Sequence, residues 1–153
     1  MALLSDESLT ELLPRAVAWA FKQERDILQQ GSILNEFRSQ MARKAGVKEP
    51  KRIRFRLVSE IRFPEEEDLR LAARALGLNG CAEALTLGYG ILLREEYGND
   101  EKVIAHELVH VAQCERLGGL FKFLTAYLNE CNQYGYCEAP MELEALQFSR
   151  SIF

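Results

Sequence analysis

Two histidines and a glutamate within six residues have the types and the spacing of a metal site. Residues 105–110 read AHELVH, and His106 and His110 are the two histidines of the chain. On a helix, residues four apart lie on one face about one turn from each other, so both imidazoles can direct a ring nitrogen at one point. Neutral imidazole is a preferred ligand of zinc. The spacing therefore predicts a helix that binds one Zn²⁺ per chain.

Glu107 lies beside the histidine face, with its side chain displaced around the helix. That offset suits a carboxylate that takes a proton from a water at the metal, rather than a ligand. A catalytic zinc keeps one position for water and takes three protein ligands. The third ligand must be a carboxylate or a thiolate, because the chain has no third histidine. The nearest thiol, Cys114, lies about 12 Å from His106 by helical rise, so we expect it to be a wall residue.

A second motif, PMELEA, places Glu142 and Glu144 near the start of the last helix. HELVH followed by a helix with E-x-x-A resembles the gluzincin zinc metallopeptidases, whose third ligand is the first Glu of that second motif. The resemblance implies that Glu142 is the third ligand here. LTLGYGILLR, AHELVHVAQCERLGG, FLTAYL and GYCEAPMELEA, in this order, are similar to small bacterial domains with a minimal gluzincin core, over roughly residues 84–148.

The chain departs from the gluzincin pattern at Leu146. Gluzincins commonly have an acidic residue there, four positions after the ligand Glu, where it supports the metal site. The support is either supplied elsewhere, for example by Gln113 or Glu144, or is weaker. The departure bears on catalytic strength more than on metal binding.

Two further stretches could serve a substrate. TLGYGILL resembles the edge strand that borders the cleft in these enzymes, where Gly88, Tyr89 and Gly90 would let an extended substrate add by main-chain hydrogen bonds. The alternative is a half-buried strand whose glycines only accommodate packing. Tyr134 and Tyr136 precede Glu142 in a loop, where a phenol could stabilise an oxyanion or simply pack.

Taken together, the motifs predict hydrolysis of a peptide or amide bond in a peptide or protein substrate. Three alternatives stay open. Peptide deformylase also uses an HExxH helix but takes a cysteine ligand from an upstream segment, for which Cys81 is the candidate; the glycine-rich motif of that family is absent. A non-catalytic metal-binding or protein-interaction module could retain the fold without turnover. The motif could also be structural and bind no metal.

The flanking sequence predicts the elements that position these residues. Helical periodicity and cap residues indicate helices over Ser5–Gln30 with a break or first turn at Pro14, Ser32–Ala45, 64–77, Glu101–Leu117, Leu120–Cys131 and Ala139 to the end. Two strands are expected, over Arg52–Phe63 and Leu85–Tyr97. In the motif helix, Asn99 or Asp100 can cap the start, Gly118 and Gly119 end it, and five apolar residues should face the core: Ile104, Ala105, Leu108, Val111 and Ala112.

This order predicts an α+β fold: one mainly helical zincin-like domain, residues 1–153, with a small antiparallel sheet. N-terminal helices fill residues 1–50, a strand, helix and strand fill 51–100, and the metal-binding helices fill 101–153. The motif helix and the glutamate helix would form the active site.

Composition narrows the classes of partner. A net charge of −4 with interspersed cations gives no basic field for nucleic acid. No apolar run approaches a membrane span, and the acidic N-terminus does not resemble a signal peptide, so we expect a cytoplasmic protein. Cys81, Cys114, Cys131 and Cys137 would then be reduced, with a Cys131–Cys137 bridge as the alternative. The oligomeric state is left open.

Overall fold

The computed structural model describes residues 2–78 and 82–153. Within them the chain forms three strands and six α-helices. The strands are β1 (Arg54–Val58), β2 (Ala84–Leu87) and β3 (Gly90–Arg94). The helices are α1 (Asp6–Gln30), α2 (Glu36–Lys44), α3 (Glu67–Ala75), α4 (Glu101–Leu117), α5 (Leu120–Tyr134) and α6 (Pro140–Ile152). The α+β class is confirmed, and helices make up most of the molecule.

The sheet is mixed, where the sequence led us to expect an antiparallel one. Its order is β1-β3-β2, with β3 in the centre. β2 and β3 pair antiparallel, whereas β1 runs parallel to β3. Strand direction depends on how α3 carries the chain from β1 to the sheet edge, and hydrophobic alternation does not report that path.

One predicted strand proves to be a hairpin. The segment read as a single strand, Leu85–Tyr97, contains β2, a two-residue turn and β3. Gly88 adopts a φ of +67°, which side chains with a Cβ disfavour, and begins that turn. Gly88 and Tyr89 therefore form the turn, and Gly90 begins the central strand, where it pairs with Arg54 and Leu87. The structure does not place this glycine segment at a sheet edge; the edge strand beside α4 is β2.

The first two helices differ from expectation in detail. α1 continues through Pro14 and begins after Ser5, whose side chain accepts a hydrogen bond from the Ser8 backbone. α2 begins four residues later than predicted, because Ser32 is paired with Phe55 in an isolated antiparallel bridge. Asn35 caps the helix instead.

The core lies between α4 and the sheet. The five apolar residues of α4 that the sequence assigned to the core are all buried in one cluster with Ile53, Ile91 and Leu93. Among the described residues, no helix is long and apolar enough to span a bilayer. Cys114, Cys131 and Cys137 are free thiols, so the described cysteines form no disulfide.

Candidate metal centre

Helix α4 carries the HELVH motif and has the predicted bounds. Asp100 caps its start, where the carboxylate accepts hydrogen bonds from the backbone of Lys102 and Val103. Gly118 ends it with a φ of +95°, the left-handed conformation that a C-terminal glycine supplies without strain. Because the apolar side of α4 is fixed against the sheet, its other face presents both histidines to a cavity.

Glu142, on α6, lies between the two imidazoles. Its Oε1 is 2.9 Å from Nε2 of His106, and its Oε2 is 3.0 Å from Nε2 of His110. His110 and Glu142 are buried, and His106 is partly exposed. The structure thus brings together residues 36 and 32 positions apart in sequence, as the E-x-x-A resemblance implied.

The donor set fits a metal ion. His106, Glu107 and His110 each offer a ligand atom, and these atoms lie within 4.8 Å of one another. Glu142 lies closer still to both imidazoles. Ligands at about 2.0–2.2 Å around a tetrahedral ion are about 3.3 Å apart, so the nitrogen–oxygen distances of 2.9 and 3.0 Å need to open by only a few tenths of an ångström.

The hydrogen bonds of Gln113 determine which ring nitrogen of His110 donates to it. Its amide nitrogen donates to the carbonyl of Met141 at 3.0 Å and to Oε1 of Glu144 at 2.7 Å. The amide oxygen therefore faces His110 Nδ1, 2.8 Å away, and that nitrogen must carry the proton. Nε2 is then the ring nitrogen available to a metal ion.

The same network continues to Glu144, whose carboxylate also pairs with Arg116 at 3.0 Å. Gln113 is fully buried, so its three hydrogen bonds fix the ring of His110 from behind. Glu144 is linked to His110 through Gln113, whose side chain forms hydrogen bonds to both residues. Gln113 and Glu144 thus support His110 through hydrogen bonds, whereas Leu146 offers the centre no hydrogen-bonding group.

Glu107 is buried and is oriented by β2. The hydroxyl of Thr86 lies 2.6 Å from Oε2 of Glu107 and donates to it. Thr86 is a residue that sequence reasoning missed. The sequence indicates Thr86 only weakly. It is a single threonine in an apolar strand, and its hydroxyl needs a hydrogen-bond partner once it is buried.

Tyr127, on α5, is a second residue that sequence reasoning missed. Its hydroxyl donates to Oε2 of Glu142 at 2.6 Å, and its ring is stacked on Phe123. Of the two predicted tyrosines, Tyr136 lines the cavity that contains the histidines. Tyr134 is half exposed and is not among the residues that line this cavity.

Charges at the centre are strongly coupled. Burial would lower the pKa of His110, but its hydrogen bond to Glu142 and the nearby carboxylates outweigh burial and raise the pKa to about 9. Burial would raise the pKa of Glu142, but hydrogen bonds from His106, His110 and Tyr127 hold it well below its usual range. Burial chiefly raises the pKa of Tyr127, which keeps its hydroxyl a donor. A cation between these groups would replace the proton on Nε2 of His110.

Cys114 lies apart from this centre, whereas Cys137 lines the cavity that contains the histidines. Cys114 packs with Ala20, Leu87 and Leu120, as expected of a wall residue, and burial raises the pKa of its thiol to about 12. Cys81, the candidate ligand of a deformylase-type site, lies outside the described residues.

A cavity of about 710 Å³ adjoins the centre. His106, Glu107, His110 and Glu142 line one part of it, and apolar side chains of α1 and α3 line another. Exposed residues such as Glu83 and Tyr136 are also part of its lining, so the cavity opens to solvent.

A family model described as eCIS core domain matches residues 34–118, more than half of the 153-residue chain. The matched segment runs from just before α2 to the end of α4 and includes His106, Glu107 and His110; Glu142 lies beyond it. No curated protein and no solved structure matches the chain.

Proposed function

The chain belongs to the eCIS core domain family (eCIS, extracellular contractile injection system), and from that premise and the geometry we propose that it is a zinc-dependent metallopeptidase of gluzincin type. The observation that carries this proposal is the meeting of two imidazoles and two carboxylates at the edge of one solvent-open cavity. The two carboxylates have different environments, which suits two different roles.

Glu142 is the better third ligand. Both of its oxygens already contact an imidazole nitrogen, and Tyr127 donates a hydrogen bond to Oε2. Glu107 is instead held toward β2 by Thr86. We therefore assign metal binding to His106, His110 and Glu142, with Gln113 accepting from Nδ1 of His110 so that Nε2 is the nitrogen that faces Glu142.

When bound, zinc supplies a Lewis acid that polarises the scissile carbonyl and lowers the pKa of a water. Glu107 takes the proton of the attacking water and delivers it to the leaving amine. The Thr86 hydroxyl donates to Oε2 of Glu107 and so fixes the orientation of this carboxylate. We assign oxyanion stabilisation to Tyr136, because it lines the same cavity as Glu107 and Tyr134 does not.

Among the described residues no strand pairs with the outer edge of β2, and this edge suits an extended peptide substrate. In the β2–β3 ladder Leu85 and Leu87 face Leu92 and Gly90, and the Arg94 amide donates to the Glu83 carbonyl at 3.0 Å. By the alternation of an antiparallel ladder, the N–H and C=O groups of Ala84 and Thr86 are then directed away from β3. A peptide beside them would add one strand and pass Glu107.

A non-catalytic module is the second candidate, because Leu146 stands where a carboxylate would support the metal. It differs from the peptidase in one measurable respect: it would bind zinc without turnover.

The test compares wild type with Glu107→Gln. We expect near one zinc per chain in both proteins by elemental analysis, after purification without added metal. Cleavage of an unfolded protein or a peptide library should fall by about 10² to 10⁴-fold in Glu107→Gln, since the proton acceptor is lost. Zinc without cleavage in the wild type would favour the non-catalytic module. Cleavage that survives the substitution would exclude the role given to Glu107.

A further inference from the structure

The cavity beside the metal centre extends into a large apolar region between α1, α3, β2 and α5. We call this region the apolar chamber and define it by Leu13, Trp19, Phe63, Ala73, Leu85 and Leu124. Every side chain that α1 and α3 contribute to the lining is apolar. Trp19 stacks on Phe63 with their ring centroids 6.3 Å apart, which joins α1 to the segment that precedes α3.

The size of the cavity exceeds what one side chain requires. An apolar cavity of about 150 Å³ is enough to bind benzene. The cavity here measures about 710 Å³, part of it taken by the metal centre, and so has room for several side chains of that size. A substrate that filled it would place apolar groups against α1 and α3 and a polar group at the histidines.

We propose that the apolar chamber binds the alternate side chains of an apolar run in an extended polypeptide, next to the bond held at the metal centre. Such runs are accessible in unfolded chains and are buried in folded ones, so the substrate class is unfolded or unfolding protein with apolar tracts. This inference rests on the proposed function, because it takes the metal centre as the place of cleavage.

The wall formed by β2 favours a peptide over a lipid chain. Ala84 and Thr86 line the same cavity, and their main-chain N–H and C=O groups are directed toward the free edge of β2. An acyl chain would leave these groups without a partner, whereas a peptide satisfies them along its length. The apolar wall of α1 lies outside residues 34–118, the segment that the family model matches.

The chain carries its own reporter of occupancy. Trp19 is the one tryptophan in the sequence, it is half-buried, and it lines the chamber. Its fluorescence therefore reports ligand binding without any need for metal or turnover.

The test titrates two ten-residue peptides into metal-free full-length protein and into zinc-loaded Glu107→Gln. One peptide has a central Leu-Phe-Leu-Phe and the other a central Ser-Thr-Ser-Thr, with the same Lys and Ser flanks. We expect a saturable change in Trp19 fluorescence with a Kd at least tenfold lower for the apolar peptide. Decanoate serves as the acyl-chain probe and should bind at least tenfold more weakly than that peptide.

Matched variants locate the binding. Ala73→Phe fills the chamber and should weaken binding of the apolar peptide at least tenfold, while Ala75→Phe, on the exposed side of the same helix, should leave it unchanged. Ala16→Phe fills the chamber from α1 and serves if Ala73→Phe fails to fold.

The outcomes separate this inference from the proposed function. Equal binding of the two peptides, no effect of either filling variant, or tighter binding of decanoate would overturn the chamber as an apolar peptide site, even if the protein cleaves peptides. Tight, chamber-dependent binding without cleavage by zinc-loaded wild type would support the chamber and reject the peptidase.

Discussion

The hydroxyl of Thr86 decides which way the Glu107 carboxylate points. Both side chains are buried, and 2.6 Å separates their oxygens. A hydrogen bond to a charged group contributes about 1.5–3 kcal/mol. The position of the Glu107 carboxylate, the proposed proton acceptor, therefore depends on a residue of β2, the strand that packs against α4.

Substitution Thr86→Val removes this hydroxyl and keeps the shape of the side chain. We expect kcat to fall by roughly 10 to 100-fold, the kinetic equivalent of about 1.5–3 kcal/mol. The zinc content should not change, because Thr86 contacts no proposed ligand. Thr86→Ser keeps the hydroxyl and should retain most of the activity. Peptidase kinetics together with elemental analysis check this, and loss of zinc in Thr86→Val would contradict it.

A second residue-scale prediction concerns Gln113. Gln113→Leu removes the acceptor from His110 Nδ1 and leaves the Met141 carbonyl without its donor. Loss of such a supporting residue typically weakens metal binding by 10 to 100-fold, and we expect a decrease of about that size in zinc affinity. Competition with a chromophoric chelator measures it.

The control for this variant is Gln147→Leu, which makes the same change at an exposed position of α6. An unchanged zinc affinity in Gln113→Leu would mean that Gln113 does not hold the ring of His110.

The residues at the centre differ in how far sequence could identify them. His106, Glu107 and His110 share a helix, so their spacing alone predicted that they meet. Glu142 was identified by the resemblance to gluzincins. Thr86 and Tyr127 carry no such signal, because they come from β2 and α5, and only the packing of these elements against α4 and α6 brings their hydroxyls to the carboxylates.

At the scale of elements, the bounds of a helix were predicted correctly where the sequence contains clear cap residues. Helix α4 has the predicted bounds because Asp100 and Gly118 satisfy its terminal groups. The hairpin was missed because its turn residues, Gly88 and Tyr89, interrupt an apolar run without the usual Asn-Gly or Asp-Gly. Ser32 was assigned to a helix because its bridge to Phe55 is a tertiary contact.

Gly118 gives an element-scale prediction. Its φ of +95° is disfavoured for residues with a Cβ, yet a Cβ there would meet nothing closer than the Lys122 side chain at 3.6 Å. The cost of Gly118→Ala is therefore backbone strain, about 1–2 kcal/mol of unfolding free energy. Thermal unfolding should occur roughly 2–8 °C lower. Gly118→Asn should cost less, since asparagine tolerates this conformation; equal losses in both variants would argue against strain.

At the scale of the whole molecule, the sequence predicted the α+β class but neither the direction of β1 nor the apolar chamber. Both depend on contacts between distant segments. The chamber needs α1, α3 and α5 around the edge strand β2, and helical periodicity shows which faces are apolar without showing that they leave a space between them.

The metal centre joins elements across the fold, so metal binding should stabilise the molecule as a whole. His106 and His110 come from α4 and Glu142 from α6. A site made of all three residues exists in the folded chain and not in the unfolded chain. At zinc concentrations 100 times the Kd, linkage gives up to about 2.7 kcal/mol, less whatever zinc binds to cysteines of the unfolded chain. For a chain of this length that corresponds to a rise of roughly 5–10 °C in Tm.

Calorimetry with and without zinc measures this rise in Tm. The control compares alanine substitutions of two glutamates, one on either side of the α6 N-terminus. Glu142→Ala should lose most of the zinc-dependent rise, because it removes a ligand that contacts both imidazoles. Glu138→Ala, at an exposed position, should keep it. Mg²⁺ should raise the Tm of neither Glu142→Ala nor Glu138→Ala, since it prefers oxygen ligands. A zinc-dependent rise that is equal in the two variants would place the ion elsewhere and remove Glu142 from the ligand set.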